Sequence, residues 1–427
     1  MYIKREIDDY LNLAFDGLRP KGLILAGVVG CGKTTAVTHF REQKESTHNF
    51  FSYSGDSIQF RNAVAADTRF IHLELEAKAN KSKKSIVFVD EVQKSENIFD
   101  ALKYAFDHSG TSFIVSGSQP GFLNSTARKR LQRRADFATL LPLSLPEILS
   151  HKKLIPNDAA HFFSTVIGQG ELPSLPKFDL ELSPDILIEI GRYLKLGGLP
   201  LAYLADPSSA MLEIRQTVER GILTFKEDAE NMLDVLLVEL ARLHSIEFTY
   251  TNIFKRTGVT KRDRINDLLE DLTMQGYLIC KKPYLGLEAR KSYLRVYSMI
   301  DPGIVSYLLG EITLEGNIGQ RVEGIVHTRL EYHRSFIPLK SDLYYFKPFR
   351  LDETKGIRFL PGEVDFVLQQ GRRLIPFEVK STDQISNIDT KLLKTFVKDH
   401  KLPFGVVLYK GLPTIQEKIL YYPWWLV

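Results

Sequence analysis

The chain has 427 residues, 44% of them hydrophobic and 25% charged, with 56 Lys and Arg against 52 Asp and Glu. That length suits about three domains, each able to bury a core, and a net charge of +4 is too small by itself to imply a polyanionic partner. The two cysteines offer no disulfide framework, the charged opening from Met1 to Asp9 lacks a signal peptide's apolar segment, and no apolar run approaches the ~18 residues that span a bilayer, so the expectation is a soluble cytoplasmic protein without a membrane partner.

Ile3, Ile7, Tyr10, Leu11 and Ala14 recur at helical spacing and predict an opening helix that closes one side of a core. Gly22 to Ala26 reads as a short buried strand, and Thr35 to Phe40 begins a helix. Between them stands Gly27-Val28-Val29-Gly30-Cys31-Gly32-Lys33-Thr34, which fits G-x-x-x-x-G-K-[ST]. Glycines between a strand and a helix start let backbone N–H groups and the helix dipole converge on phosphate. Nucleotide contacts therefore fall to Gly27, Gly30, Cys31, Gly32, Lys33, Thr34 and Thr35. Lys33 would reach the β- and γ-phosphates and Thr34 would offer its hydroxyl to Mg²⁺, so ATP and Mg²⁺ are the expected cofactors.

Asn49 to Tyr53 reads as a strand and Ile58 to Lys81 as a helical stretch. Ser85 to Val89 then runs apolar into Asp90-Glu91-Val92-Gln93. A parallel strand covered on both faces is apolar, and its C-terminal end meets the ligand crevice. Asp90 is placed to hold Mg²⁺ and Glu91 to polarise the attacking water. Phe99 to His108 is a helix, and Thr111 to Ser118 a further buried strand. Ser116 or Ser118 at its end would serve as a phosphate or water sensor, or form an ordinary Ser/Gly turn. The run Ala127 to Ala135 is rich in Arg and Lys. It can be a solvated helix face, an arginine finger for a neighbouring subunit, or a nucleic-acid backbone contact.

Leu140 to Glu147 carries a "PLS-x-x-E" segment. With Asp90-Glu91-Val92-Gln93, Gly117-Ser118, Arg134 eight residues before Pro142, and Gly197-Gly198-Leu199-Pro200, it resembles a large family of bacterial and archaeal AAA-type ATPases that end in a domain related to PD-(D/E)xK nucleases. The resemblance implies that Arg134 is a finger acting on another copy of the chain, that Ser118 is the sensor, and that a helical lid follows the core. The family usually has Gly just before that arginine, where this chain has Arg133.

Gly168 to Pro184 is rich in Gly and Pro and reads as a linker, and Ile186 to Leu243 as the lid. Phe248 to Pro283 reads as helix, turn, helix, strand, a winged-helix pattern that the family also has. Lys255, Arg256, Lys261, Arg262 and Arg264 lie where a recognition helix would meet DNA, although winged helices also pack against protein. Ile318 to Leu330 is a helix with Glu323 beside its apolar stripe. The strands Gly362 to Leu368 and Leu374 to Lys380 flank a turn at Gln370-Gly371-Arg372, and alternation puts Glu363 with Asp365 on one face and Glu378 with Lys380 on one face. Asp365, Glu378 and Lys380 form D-x(12)-E-x-K. The two carboxylates would supply hard oxygen ligands to a metal, Glu323 a further one, and Lys380 would orient or deprotonate water. A surface hairpin with ordinary cross-strand charge pairs is the plainer alternative. Phe404 to Tyr409 reads as the next core strand.

The expected fold is α/β: an AAA-type P-loop ATPase core over 1–180, a helical lid over 181–245, a winged helix over 246–312 and a restriction-endonuclease-like domain over 313–427. The expected function is Mg²⁺-dependent ATP hydrolysis coupled to DNA binding or to metal-dependent nuclease action. The alternative is a nucleotide-driven switch or scaffold whose last domain binds without cutting. Besides ATP, the partners this allows are DNA and further copies of the chain.

Overall fold

The computed structural model describes residues 2–17, 19–156, 158–172, 174–175, 180–222, 230–258, 262–284, 295–310, 317–336, 340–352 and 356–427. The chain divides into two compact units, Met1–Pro142 with Glu270–Tyr277, and Leu143–Leu269 with Leu278–Val427.

The first unit contains α1 (Glu6–Phe15), β1 (Gly22–Ala26), α2 (Lys33–Lys44), β2 (His48–Ser54), α3 (Ile58–Ala66), α4 (Phe70–Lys78), β3 (Lys84–Asp90), α5 (Asn97–Ser109), β4 (Ser112–Gly117) and β5 (Ala135–Thr139). The strands form one parallel sheet in the order β2-β3-β4-β1-β5. The apolar runs predict this: every residue of β1 is buried, as are the four apolar residues of β3, because helices cover both faces of a parallel sheet. The order puts β4 between β1 and β3, so the end of β4 stands between the ends of its two neighbours.

Two expectations change here. The helical stretch Ile58 to Lys81 is two helices, because Asp67 turns extended and its carboxylate accepts from the Arg69 N–H at 2.8 Å, a side-chain bond that competes with helix continuation. The basic run is not one helix either. Its helical turns end at Arg130, Arg133 takes φ +59°, and β5 begins at Ala135.

The second unit begins with α6 (Leu145–His151), α7 (Ala159–Gln169), α8 (Pro184–Leu196), α9 (Pro200–Leu204), α10 (Pro207–Gly221) and α11 (Glu230–Arg242). The "S-x-x-E" of the family motif is a capping box: Ser144 Oγ accepts from Glu147 N, and Glu147 Oε2 accepts from Ser144 N. The "GGxP" turn meets the same segment. Leu143 N donates to Gly198 O at 2.6 Å, and a Cβ on Gly198 would lie 2.0 Å from Leu143 O, so only glycine fits.

Next in the chain come β6 (Glu247–Phe248), α12 (Tyr250–Thr257), α13 (Arg262–Met274, which belongs to the first unit from Glu270 on), β7 (Leu278–Pro283), β8 (Arg295–Met299), α14 (Pro302–Leu309) and α15 (Ile318–Ser335). Then follow β9 (Ser341–Phe346), β10 (Phe349–Asp352), β11 (Gly356–Phe359), β12 (Val364–Gln370), β13 (Arg373–Val379), α16 (Asn387–Asp399), β14 (Gly405–Tyr409), β15 (Thr414–Gln416) and β16 (Ile419–Pro423). Nine strands join in the order β15-β16-β14-β13-β12-β9-β7-β8-β6. At its centre β9, β12 and β13 are antiparallel neighbours, and β14 returns parallel to β13 after α16. A register shift in β12 between Val364 and Val367 inserts one residue against β9. Such a bulge kinks the strand locally. Glu363 lies before the strand, exposed and 3.6 Å from Lys347, whereas Asp365 is buried. Both cysteines are free thiols, and among the described residues no helix is long and apolar enough to cross a membrane.

Candidate functional site

The phosphate loop follows the buried strand β1. A Cβ on Gly27 would stand 2.4 Å from Leu140 O, so the loop's first residue must lack a side chain. Gly30 and Gly32 take φ +78° and +95°, the left-handed region that glycine enters without cost. Gly32 is the N-cap of α2, and Lys33, Thr34 and Thr35 form its first turn, where backbone N–H groups lack helical partners. Lys33 is buried and donates to the carbonyls of Gly27 at 2.9 Å and Val28 at 3.0 Å. Neutral carbonyls hold the ammonium where phosphate would compete for it. Arg5, at the start of α1, donates to Cys31 O at 3.0 Å and Leu141 O at 2.6 Å. The opening helix thus braces the loop as well as closing the core.

At the end of β3, Asp90 Oδ2 accepts from Thr34 Oγ1 at 2.7 Å, and Ser116 Oγ donates to Asp90 Oδ1. A hydroxyl and a carboxylate side by side are hard oxygen donors that fit Mg²⁺. Glu91 sits at φ +49°, a strained conformation for a non-glycine residue. Gly55 permits it, because a Cβ there would lie 2.1 Å from Glu91 O. Glu91 Oε2 accepts from Ser118 Oγ at 3.0 Å and from Gln93 Nε2, and Gln93 Nε2 also reaches Ser118 Oγ at 3.1 Å. A Cβ on Gly117 would be 2.2 Å from Gln93 Oε1. The "D-E-V-Q" and "G-S" segments are therefore one construction: Gly117 makes room for Gln93, and Gln93 and Ser118 together fix the Glu91 carboxylate.

Arg134 is elsewhere. It precedes β5, whose first residue pairs with Gly22 at the start of β1, while the phosphate loop leaves the far end of β1. Five residues of strand separate those ends by about 16 Å. Arg134 is bidentate to Asp107, at 2.7 and 2.8 Å. Arg130 pairs with Glu96 and Asp100, and Arg128 lies over the Phe137 ring at 4.8 Å. The left-handed Arg133 occupies the place where the family usually has glycine, which explains that preference.

In the second unit, Asp365 on β12 and Glu378 on β13 are both buried. Asp365 Oδ2 accepts from Val379 N at 2.7 Å, and Lys380 Nζ donates to Glu378 Oε1 at 2.6 Å. Burial, then the neighbouring charges of Glu378 and Glu323, hold the Asp365 carboxyl well above the usual carboxylate range. Burial pushes Glu378 up to about 7, against the opposing pull of Lys380. Lys380 stays above its ordinary value although burial pulls it down, because Glu378 and Asp365 face it. Two buried carboxyls, of which Glu378 raises Asp365 while Glu363 and Glu323 raise Glu378, are an oxygen pair suited to a hard cation. Glu323, on α15, is engaged by Lys281 of β7, whose Nζ donates to Glu323 Oε1 at 2.6 Å and to Asp365 O at 2.9 Å. Among the described residues, no group of three or more His, Cys, Asp or Glu side chains stands ready to enclose a metal ion.

Of the basic residues expected around the helix pair α12 and α13, Lys255 is exposed and Arg256 is paired with Glu239 at 2.9 Å. Lys261 and the side chains of Arg262 and Arg264 lie outside the described residues. Sequence reasoning missed Arg5 and Lys281 and quoted Gln93 without a role. Arg5 and Lys281 carry no local signal, since their partners are remote in sequence.

Residues 19–149 match the model of a family described as an AAA domain, and residues 319–426 match that of a domain of unknown function, DUF4143. The AAA match, the parallel sheet and the phosphate loop make the N-terminal segment an AAA-type P-loop domain. A comparison with curated proteins gives no match. Among solved structures, the Orc1 protein of Aeropyrum pernix in complex with DNA is similar at 15% identity, over 72% of this chain and 90% of that one, with a TM-score of 0.30. Cdc6p from Pyrobaculum aerophilum is similar at 12% identity, over 72% of this chain and 96% of that one, also at 0.30. A replication initiator DnaA bound to AMPPCP and single-stranded DNA is similar at 11% identity, over 64% of this chain and 90% of that one, at 0.32.

Proposed function

We propose that the chain is a Mg²⁺-dependent ATPase of AAA type whose nucleotide cycle controls a nucleic-acid-directed C-terminal domain. The observation that carries the ATPase reading is the Thr34–Asp90 contact of 2.7 Å, which joins the phosphate loop to the end of β3. Thr34 and Asp90 would hold Mg²⁺, which when bound offsets the charge on the β- and γ-phosphates. Lys33 would exchange its two carbonyl partners for phosphate oxygens. Glu91, fixed by Ser118 and Gln93, would draw a proton from water positioned for attack on the γ-phosphorus. Arg134 cannot serve its own phosphate loop from the opposite end of the sheet, so its finger role requires a second copy. Nucleotide-binding titrations test this reading: Lys33→Ala is expected to weaken ATP binding, and Thr34→Ala to remove the Mg²⁺ dependence of that binding.

For the C-terminal domain we favour a restriction-endonuclease-like fold. Its support is the succession α15, β9, β12, β13, α16, β14, with Asp365 and Glu378 buried on neighbouring strands and Lys380 on Glu378. β6, α12, α13, β7 and β8 follow the order of a winged helix, which supports DNA as the partner. In this reading Asp365 and Glu378 hold the metal of a phosphodiester cleavage site and Lys380 orients the water. DNA cleavage with Mn²⁺ that vanishes in Asp365→Asn and Lys380→Ala would support it. DNA retention without cleavage would favour the non-cutting switch, which the engagement of every site carboxylate by an internal partner also favours.

A further inference from the structure

Lys281 is the residue of the second unit that its sequence motif least explains. It belongs to β7, outside the hairpin that supplies Asp365, Glu378 and Lys380, and it is 2% exposed. A lysine is rarely buried to that degree unless its charge is matched. Here the match is specific. The ammonium has three N–H donors. One meets Glu323 Oε1 at 2.6 Å and one meets the Asp365 carbonyl at 2.9 Å. The Phe366 ring centroid lies 3.9 Å from Nζ, a cation–π distance.

The two oxygens that Lys281 takes, one carboxylate and one carbonyl, are hard donors of the kind a divalent cation uses. The ammonium therefore occupies a cation position with the protein's own charge. Glu323 is near enough for its charge to act on both Asp365 and Glu378, so the Lys281 ammonium stands at the edge of the same carboxylate group, with Lys380 on Glu378. We infer that Lys281 is a resident counter-ion that bars a divalent cation from the Glu323 side and limits this site to one metal ion, held by Asp365 and Glu378. The inference rests on reading that carboxylate pair as a metal site, and it makes Lys281 a positioning residue that sets metal number.

Mn²⁺ binding to the nucleotide-free full chain, followed by electron paramagnetic resonance, tests it, with Asp90→Asn present in every arm so that only the second unit counts. One Mn²⁺ per chain is expected with Lys281 in place, lost in Asp365→Asn. Glu323→Gln is expected to leave its affinity within about twofold, where loss of a metal-site residue or its support typically costs ~10–100-fold. Lys281→Met is expected to gain a second Mn²⁺, which Lys281→Met with Glu323→Gln loses again, while Lys281→Arg keeps the count at one. Two Mn²⁺ with Lys281 in place, a tenfold loss in Glu323→Gln, or an unchanged count in a folded Lys281→Met protein would each overturn the inference. If no Mn²⁺ binds until Lys281 is replaced, the counter-ion role stands and the Asp365–Glu378 metal reading fails. The Glu323→Gln arm keeps the test decisive if Lys281→Met does not fold.

Discussion

Ser118 Oγ donates to Glu91 Oε2 across 3.0 Å, joining the segment after β4 to the residue after β3. Gln93 Nε2 closes the triangle. A carboxylate held by two donors keeps its orientation without meeting substrate at those atoms. Glu91→Gln is expected to lower kcat for ATP by about 10²–10⁴-fold, the range for a lost general base. Ser118→Ala and Gln93→Ala are expected to lower it by roughly tenfold each, with KM little changed, since they act through Glu91. Steady-state kinetics on the three variants check this, and a larger change in KM than in kcat for Ser118→Ala would count against it.

Gly27 and Gly198 face backbone atoms that cannot move aside, at 2.4 and 2.0 Å from an added Cβ. Gly191 has nothing within 4 Å. Gly27→Ala and Gly198→Ala are expected to cost about 1–3 kcal/mol as overpacked substitutions. Gly191→Ala, inside α8, is expected to gain up to about 1 kcal/mol from helix propensity. Urea melts of the three variants test the ordering.

The second unit buries three histidines. Burial, with the charge of Arg321, lowers His244 to about 3, and burial holds His327 and His333 well below their ordinary value. Above about pH 6.5 folded and unfolded forms are both neutral. Below it the unfolded chain binds protons that the folded chain does not, so each such histidine costs up to about 1.4 kcal/mol per pH unit as pH falls. Asp301 and Glu378, raised by burial to about 6 and about 7, act with the opposite sign, because there the folded form binds the extra proton. The wild-type slope combines the two sets, with Asp365, raised by burial as well, on the side of the carboxyls. His333→Leu removes one acid-labile group and leaves the carboxyls, so its loss of Tm between pH 7 and pH 5 should be smaller than that of the wild type. An equal or larger loss would contradict the assignment.

Arg134 and Glu91 belong to opposite ends of the sheet, so one active interface would need each from a different copy. Arg134→Ala and Glu91→Gln should each be nearly inactive, with about a 10³-fold loss for the arginine. Mixed, they should recover activity, because an Arg134→Ala copy keeps its phosphate loop and a Glu91→Gln copy keeps its arginine. ATPase assays across mixing ratios read this directly, and no recovery at any ratio would remove the finger role.

What the sequence made legible was local. Strand, glycine loop and helix follow one another in the phosphate loop, and Ile86 to Asp90 declares a buried strand with a polar end, because neighbouring residues carry the whole signal. Asp67 broke a helix that apolar spacing alone carried through to Lys81. The bulge of β12 against β9 was not legible, because it is a property of two strands rather than one. Lys281 reaches the Asp365 carbonyl from 84 positions away, and no spacing rule spans that distance. Arg133 shows the opposite case: the departure from glycine was visible in the sequence, and its left-handed backbone supplied the reason.

The most direct test of the central claim is ATP hydrolysis by the purified full chain with Mg²⁺, comparing wild type, Lys33→Ala and Glu91→Gln. The wild type should release phosphate, Glu91→Gln should bind ATP and release almost none, and Lys33→Ala should do neither. Phosphate release that is the same in all three would contradict an ATPase site built on Lys33, Asp90 and Glu91.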